Sequence, residues 1–164
     1  MVALVWGIFI IIVLVIQAVF IPLISIKGIK PDLLLVITVS AGLLYGKETG
    51  FCTGFFIGLL QDLASGNVFG LNLISKIVVG YGFGVAEGKV FKDNVFLPVI
   101  AVALASIISS ILVFIFVTLQ GYFVDWNGVL IFIIIPTMLY NMVVSIPVHS
   151  IFSAVIRKVN QHYK

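Results

Sequence analysis

The stretch Gly42-Leu43-Leu44-Tyr45-Gly46-Lys47-Glu48-Thr49-Gly50-Phe51-Cys52-Thr53-Gly54-Phe55-Phe56-Ile57-Gly58-Leu59-Leu60-Gln61-Asp62 continues through Gly66 to Gly70, and it carries glycine at every fourth residue except where Asp62 stands. In a helix, four-residue steps drift by only about 40° each, so these residues lie on one slowly turning stripe. Glycine costs about 1 kcal/mol per helical position relative to alanine in water. Repetition at this spacing therefore predicts a surface where close backbone approach outweighs propensity, the setting of a transmembrane helix contact. The stripe ends in a carboxylate.

The rest of the chain agrees with that setting. Of 164 residues, 62% are hydrophobic and 9% charged, and the mean hydropathy is +1.32, far outside the soluble globular range. The expected class is an all-α polytopic membrane protein with a single transmembrane domain, 1–164. Residues 1–26 carry no charged side chain, and about 20 apolar residues cross a hydrocarbon core of roughly 30 Å, so a first span begins almost at the first residue. A cleaved signal peptide is disfavoured, because no Lys or Arg precedes the apolar run.

Charges and turn residues divide the remainder, which predicts helices over 2–26, 33–45, 49–63, 71–86, 96–119 and 129–156. The second and third are short for full spans and read as a hairpin sheltered by longer neighbours. One kinked span is the alternative, giving five; a straight helix from Leu33 to Asp62 would reach about 45 Å, longer than the hydrocarbon layer by half. With six spans, Lys47, Lys89, Lys92, Arg157, Lys158 and Lys164 share one side against Lys27 and Lys30, so the basic-loop rule puts both termini in the cytoplasm. The net charge of +3 then serves topology and contact with the anionic lipid bilayer, and nucleic acid is not implied. Cys52 is the single cysteine, which excludes an intramolecular disulfide and reads as a small packed residue. Pro136 and Pro147 read as ordinary transmembrane proline kinks, and the 14 phenylalanines as core or lipid contacts.

Function must therefore lie within the helices or on their faces. Asp62 either marks a helix end and accepts hydrogen bonds from amides at the start of the next helix, or takes part in a polar cluster. Lys76 stands in an otherwise apolar run, where a lysine costs about 3 kcal/mol at mid-membrane. It needs a partner or must snorkel to the interface. Asn72 lies one turn before it, and Asp62 reaches the same layer across the hairpin, so Asp62, Asn72 and Lys76 form the candidate cluster. His149 and Gln17 are each expected to make one interhelical hydrogen bond rather than bind metal, since neither has a second ligand at suitable spacing.

Enzyme templates find no match. A nucleophile elbow, a zinc motif, a Walker A loop and a dinucleotide fingerprint are absent, so no cofactor and no metal is expected. The remaining catalytic option is an aspartyl dyad drawn from Asp32, Asp62 and Asp125, expected on one side of the membrane; nothing else supports it.

Lys30-Pro31-Asp32-Leu33-Leu34-Leu35, then Gly50-x-x-x-Gly54-x-x-x-Gly58-Leu59-Leu60-x-Asp62, then Ser65-Gly66 and Phe69-Gly70-Leu71-Asn72, resemble the MreD family of bacterial rod-shape-determining membrane proteins. The motif-bearing part is about 30–81, while length and near-absence of loops extend the resemblance over the whole chain. Pro31, Asp32, Gly54, Gly58, Asp62, Gly70 and Asn72 match the family's recurring positions; Lys76 does not carry over. The resemblance implies a non-catalytic component of the cell-elongation machinery in the inner membrane. It would bind MreC and, through it, be linked to the glycosyltransferase and transpeptidase pair of lateral peptidoglycan synthesis and to MreB filaments. It also implies a six-helix bundle resembling the substrate-binding subunit of energy-coupling-factor transporters, with a shallow cavity on its outer side.

Two functions follow as expectations. One is a membrane scaffold, with Pro31, Asp32, Asp62, Asn72 and Lys76 as partner- or ligand-binding candidates and Gly50, Gly54, Gly58 and Gly70 in helix packing. The other is a vitamin-transporter substrate subunit. Such subunits often dock through Ala-x-x-x-Ala in the first helix, whereas here Ala101-x-x-x-Ala105 lies in the fifth, which counts against transport. The sequence leaves a homo-oligomer open.

Overall fold

Helix α1 spans Val2–Val19 and stops seven residues before the expected boundary at Ile26. Pro22 is the cause: it donates no hydrogen bond and disfavours helical geometry in Ile21, so the chain tightens into a 3₁₀ turn at Ile21–Ile24. A two-residue reversal follows. Ile26 and Ile29 exchange both backbone hydrogen bonds at 3.0 Å, and Lys27 (φ 51°) and Gly28 (φ 83°) supply the positive φ pair that a type I′ turn requires. The computed structural model describes residues 2–66, 69–86 and 96–162, with side chains from 6 to 155 within those stretches. The expected break from Glu87 through Asp93, with Lys89 and Lys92, lies outside the described residues, as do Asn67, Lys164 and the side chains of Arg157 and Lys158.

Helix α2 runs Leu33–Ser65 with one non-helical residue, Gly46 (φ 87°, ψ −179°). A Cβ placed on Gly50 would lie 2.9 Å from Gly42 Cα, whereas eight residues of straight helix span about 12 Å. The chain therefore folds back on itself at Gly46 into a first arm, 33–45, and a second arm, 47–65. Helix α3 is Leu71–Val85 and helix α4 is Phe96–Leu119. The last helical run begins with the short α5, Trp126–Val129, passes through a π-helical turn at Leu130–Ile134, and becomes α6, Ile135–His162. The π turn sits just before Pro136, and the Ile135 N–H donates to Leu130 O, five residues back, within the ladder that the proline interrupts.

The described residues thus form five long helical runs where the sequence predicts six. The difference lies at Gly46: a single glycine absorbs the reversal, and Lys47, Glu48 and Thr49, expected to be a connection, stay helical. The last run also begins three residues earlier than expected, at Trp126, and continues past Ile156.

The first arm of α2 is the centre of the molecule. From Leu34 to Ala41 every side chain is essentially inaccessible, and all are apolar except Thr38, which bonds Leu34 O, and Ser40, which meets His149. Around it sit Ile10, Val13, Ile57 and Phe152 on one side, and Val79, Ala101, Val102 and Ala105 on the other. Helix α3 packs against both arms. A Cβ on Gly42 would approach Gly80 O to 2.7 Å, and one on Gly58 would approach Leu73 Cα to 2.5 Å. Gly50 faces Gly80, Gly54 faces the Lys76 backbone, and Gly84 faces Lys47. Gly42, Gly50, Gly54 and Gly58 thus stand against α3 of the same chain. Gly70 serves differently: with φ 102° it precedes α3 in a left-handed conformation, and a Cβ there would touch nothing.

Among the described residues, three helices are long and apolar enough by length and composition to cross a membrane: Leu33–Ser65, counted through its reversal at Gly46, Phe96–Leu119 and Trp126–Val155.

Candidate functional site

Pro31 and Asp32 start α2, and the chain around them is held from three directions. Asp32 caps the helix by accepting the Leu35 N–H on Oδ1 at 2.9 Å. Gln17 of α1 brackets the entry, its Nε2 donating to Pro31 O and its Oε1 accepting the Leu33 N–H, both at 2.9 Å. The Asp32 N–H donates to Asn141 Oδ1 of α6 at 2.7 Å. Asn141 Nδ2 in turn donates to Ser106 Oγ of α4 at 2.9 Å, and Ser106 donates to Val102 O at 2.8 Å. Gln17 was expected to make one interhelical bond and makes two.

Lys76 is fully buried, and its Nζ donates to Asp32 Oδ2 at 2.9 Å. Its partner is therefore Asp32, not Asp62, and it does not snorkel. The desolvation of both groups is offset by this contact and by the Leu35 amide on the other carboxylate oxygen. Asp32 keeps 22% of its side chain exposed.

Asp62, 3% exposed, has its own work at the start of α3. Oδ2 accepts the N–H groups of Gly70 at 2.9 Å and Leu73 at 3.0 Å. Oδ1 accepts the Asn72 N–H at 3.0 Å and Asn72 Nδ2 at 2.9 Å. Three amides at the first turn of α3 are thus satisfied by one carboxylate at the positive end of that helix, so the capping expectation holds. The expected cluster of Asp62, Asn72 and Lys76 divides into two units, Asp62 with Asn72 and Lys76 with Asp32. An aspartyl dyad fails for the same reason, because Asp32 and Asp62 are each taken up by separate donors, and Asp125 is exposed before α5.

His149 Nδ1 lies 2.8 Å from Ser40 Oγ, joining α6 to the first arm of α2 as expected. Cys52 corrects the sequence expectation: it is exposed, because the second arm turns Gly50, Gly54 and Gly58 toward α3 and leaves Cys52 facing away. It lines an apolar groove of about 560 Å³ with Trp6, Gly7, Ile10 and Phe56. Gln61 Oε1 is a buried acceptor without a partner among the described residues.

Beside the Asp32–Asn141 contact is a cavity of about 260 Å³ between α2, α3, α4 and the last helical run. Asp32, Asn72, Ser106 and Asn141 line it, together with Ser109, Ser110 and Thr137. Sequence reasoning overlooked Asn141 and the α4 serines. Their signal was present, since an amide inside an apolar run and three serines within one helical turn and a residue are unusual at membrane depth.

A family model described as rod shape-determining protein MreD matches residues 1–159. No curated protein and no solved structure matches the chain.

Proposed function

Since the chain belongs to the MreD family, a family of shape-determining membrane proteins, we propose that it is a non-catalytic scaffold of the bacterial cell-elongation machinery. It sits in the inner membrane with both termini in the cytoplasm and binds MreC. Through MreC it helps organise the glycosyltransferase and transpeptidase pair of lateral peptidoglycan synthesis beside MreB filaments. The observation that carries this reading is the contrast between inward polar groups that bond one another and outward faces that are apolar. Asp32, Asp62, Asn72 and Lys76 bond partners within the chain, while α1, α4 and α6 turn large apolar side chains outward, Ile8, Ile12, Ile100, Leu104, Leu139 and Val143 among them, as do the second arm of α2 and α3 with Phe51, Phe56 and Ile74. Such faces suit lipid and the helix of a single-span partner, which associate by packing and a few weak interhelical hydrogen bonds.

Pro31, Asp32, Asp62, Asn72 and Lys76 then act on partners indirectly, by fixing where α1, α3, α4 and α6 stand. The transporter reading draws no support from Ala101 and Ala105, whose side chains are buried against the first arm of α2; that stripe is not free to dock a coupling subunit.

The test is to tag the chain at its C-terminus, solubilise native membranes gently and identify co-purifying proteins by mass spectrometry. Recovery of MreC with the elongation synthases is expected. Recovery of a coupling membrane subunit with paired ATPases would overturn the scaffold in favour of transport.

A further inference from the structure

We propose that the cavity beside Asp32 and Asn141 is a binding site for a neutral, hydroxyl-rich ring of about one hexose. Its polar lining is electrically balanced. Among the described residues the one ionisable group in the wall is Asp32, and its charge is matched by Lys76 Nζ at 2.9 Å. Neither a phosphate nor a cation gains from entering such a site, since either would be desolvated without a counter-charge.

The wall instead offers hydroxyls. Ser106 and Thr118 on α4 donate back to the carbonyl four residues earlier, the usual behaviour of such residues in a helix. Ser109, Ser110 and Thr137, which face the cavity, make no hydrogen bond among the described residues. Each can donate one bond and accept two, which suits the hydroxyls of a sugar or polyol. Leu35, Val113, Phe114 and Ile133 complete the wall and supply apolar surface for the C–H face of a ring. At about 260 Å³, the cavity is smaller than the roughly 300–1,000 Å³ of drug-sized pockets. It admits a ring rather than an extended molecule. Free sugar and the headgroup of a glycolipid share this chemistry.

The full chain in nanodiscs of phosphatidylethanolamine and phosphatidylglycerol, doped with either monoglucosyl-diacylglycerol or diacylglycerol, is examined by native mass spectrometry. Free methyl glucoside is tested in parallel by saturation-transfer NMR. The glucosyl lipid is expected to be retained about tenfold over diacylglycerol, the effect of one or two good hydrogen bonds. Ser110→Val with Thr137→Val removes that preference, and Thr137→Ser keeps it. If methyl glucoside binds and displaces the lipid, the source is soluble; if only the glucosyl lipid is held, the source is a headgroup. A retention ratio near one with no methyl glucoside signal overturns the proposal, as does a preference that survives the double variant. Loss of MreC capture by the double variant, without any change in sugar retention, assigns the cavity to a partner side chain and also overturns it. The capture experiment on the unaltered chain tests the scaffold separately, so either reading can fail alone.

Discussion

Helix α2 and the last helical run make an instructive pair. The membrane-length window of α2 is 72% buried although it is the less apolar of the two, while that of Trp126–Val155 is more apolar and only 17% buried; α4 resembles the latter at 28%. In a water-soluble protein the order is reversed, because apolar surface is driven inward. Here the exterior is the more oily side, so hydropathy reports distance from the core rather than membership of it. What holds the interior is different in kind: backbone touching backbone at glycine, and a small set of polar groups that bond one another because lipid offers them nothing.

That contrast can be broken most severely at Asp62. Asp62→Ala strips acceptors from three amides at the start of α3, and at about 1–3 kcal/mol for each stranded group the loss is about 5 kcal/mol. Unfolding in mixed detergent micelles should show a collapse of stability, whereas removing an outward apolar residue such as Leu139 should change little. Stability close to that of the parent would mean that α3 is positioned by packing alone.

Next comes the buried ion pair. Asp32→Asn leaves Lys76 buried without its counter-charge and should cost about 3–5 kcal/mol. Adding Lys76→Met should restore much of that loss, since the uncompensated charge is then gone, and a double-mutant cycle on the same unfolding assay measures the coupling. Additive losses would show that the two side chains do not depend on each other.

The smallest effects separate two glycines of a single helix. Gly80→Ala drives a methyl into the backbone of Gly50 and should cost about 1–3 kcal/mol, because backbone cannot repack as side chains do. Gly82 has nothing within 4 Å of its missing Cβ, so Gly82→Ala should stay within about 0.5 kcal/mol of the parent or gain slightly from helix propensity. Equal outcomes at the two positions would erase the distinction between the α2-facing and outward sides of α3.

Local spacing made part of this legible. The four-residue glycine step predicts a packed surface, and Asp62 followed by Gly66, Gly70 and Asn72 predicts a cap on the next helix; both depend on neighbours within a dozen residues. The Asp32–Lys76 pair does not, being separated by 44 positions, and Asp62 was the nearer but already committed carboxylate. The link from Asp32 to Asn141 spans 109 positions, and no periodicity in either helix encodes it. Cys52 was misplaced for a related reason: the stripe identified one buried face of the second arm, but not what stands opposite it.

The reversal at Gly46 also sets an order of events in synthesis. Both arms of α2, the whole of α3, the glycine contacts and the Asp32–Lys76 pair lie within residues 32–85, so these contacts have both their sides in place before α4 has been translated. Domains made of near-sequence contacts form early and fast. Asn141 and His149 arrive with the final helix, and their bonds to the Asp32 amide and to Ser40 close the assembly only when that helix has entered.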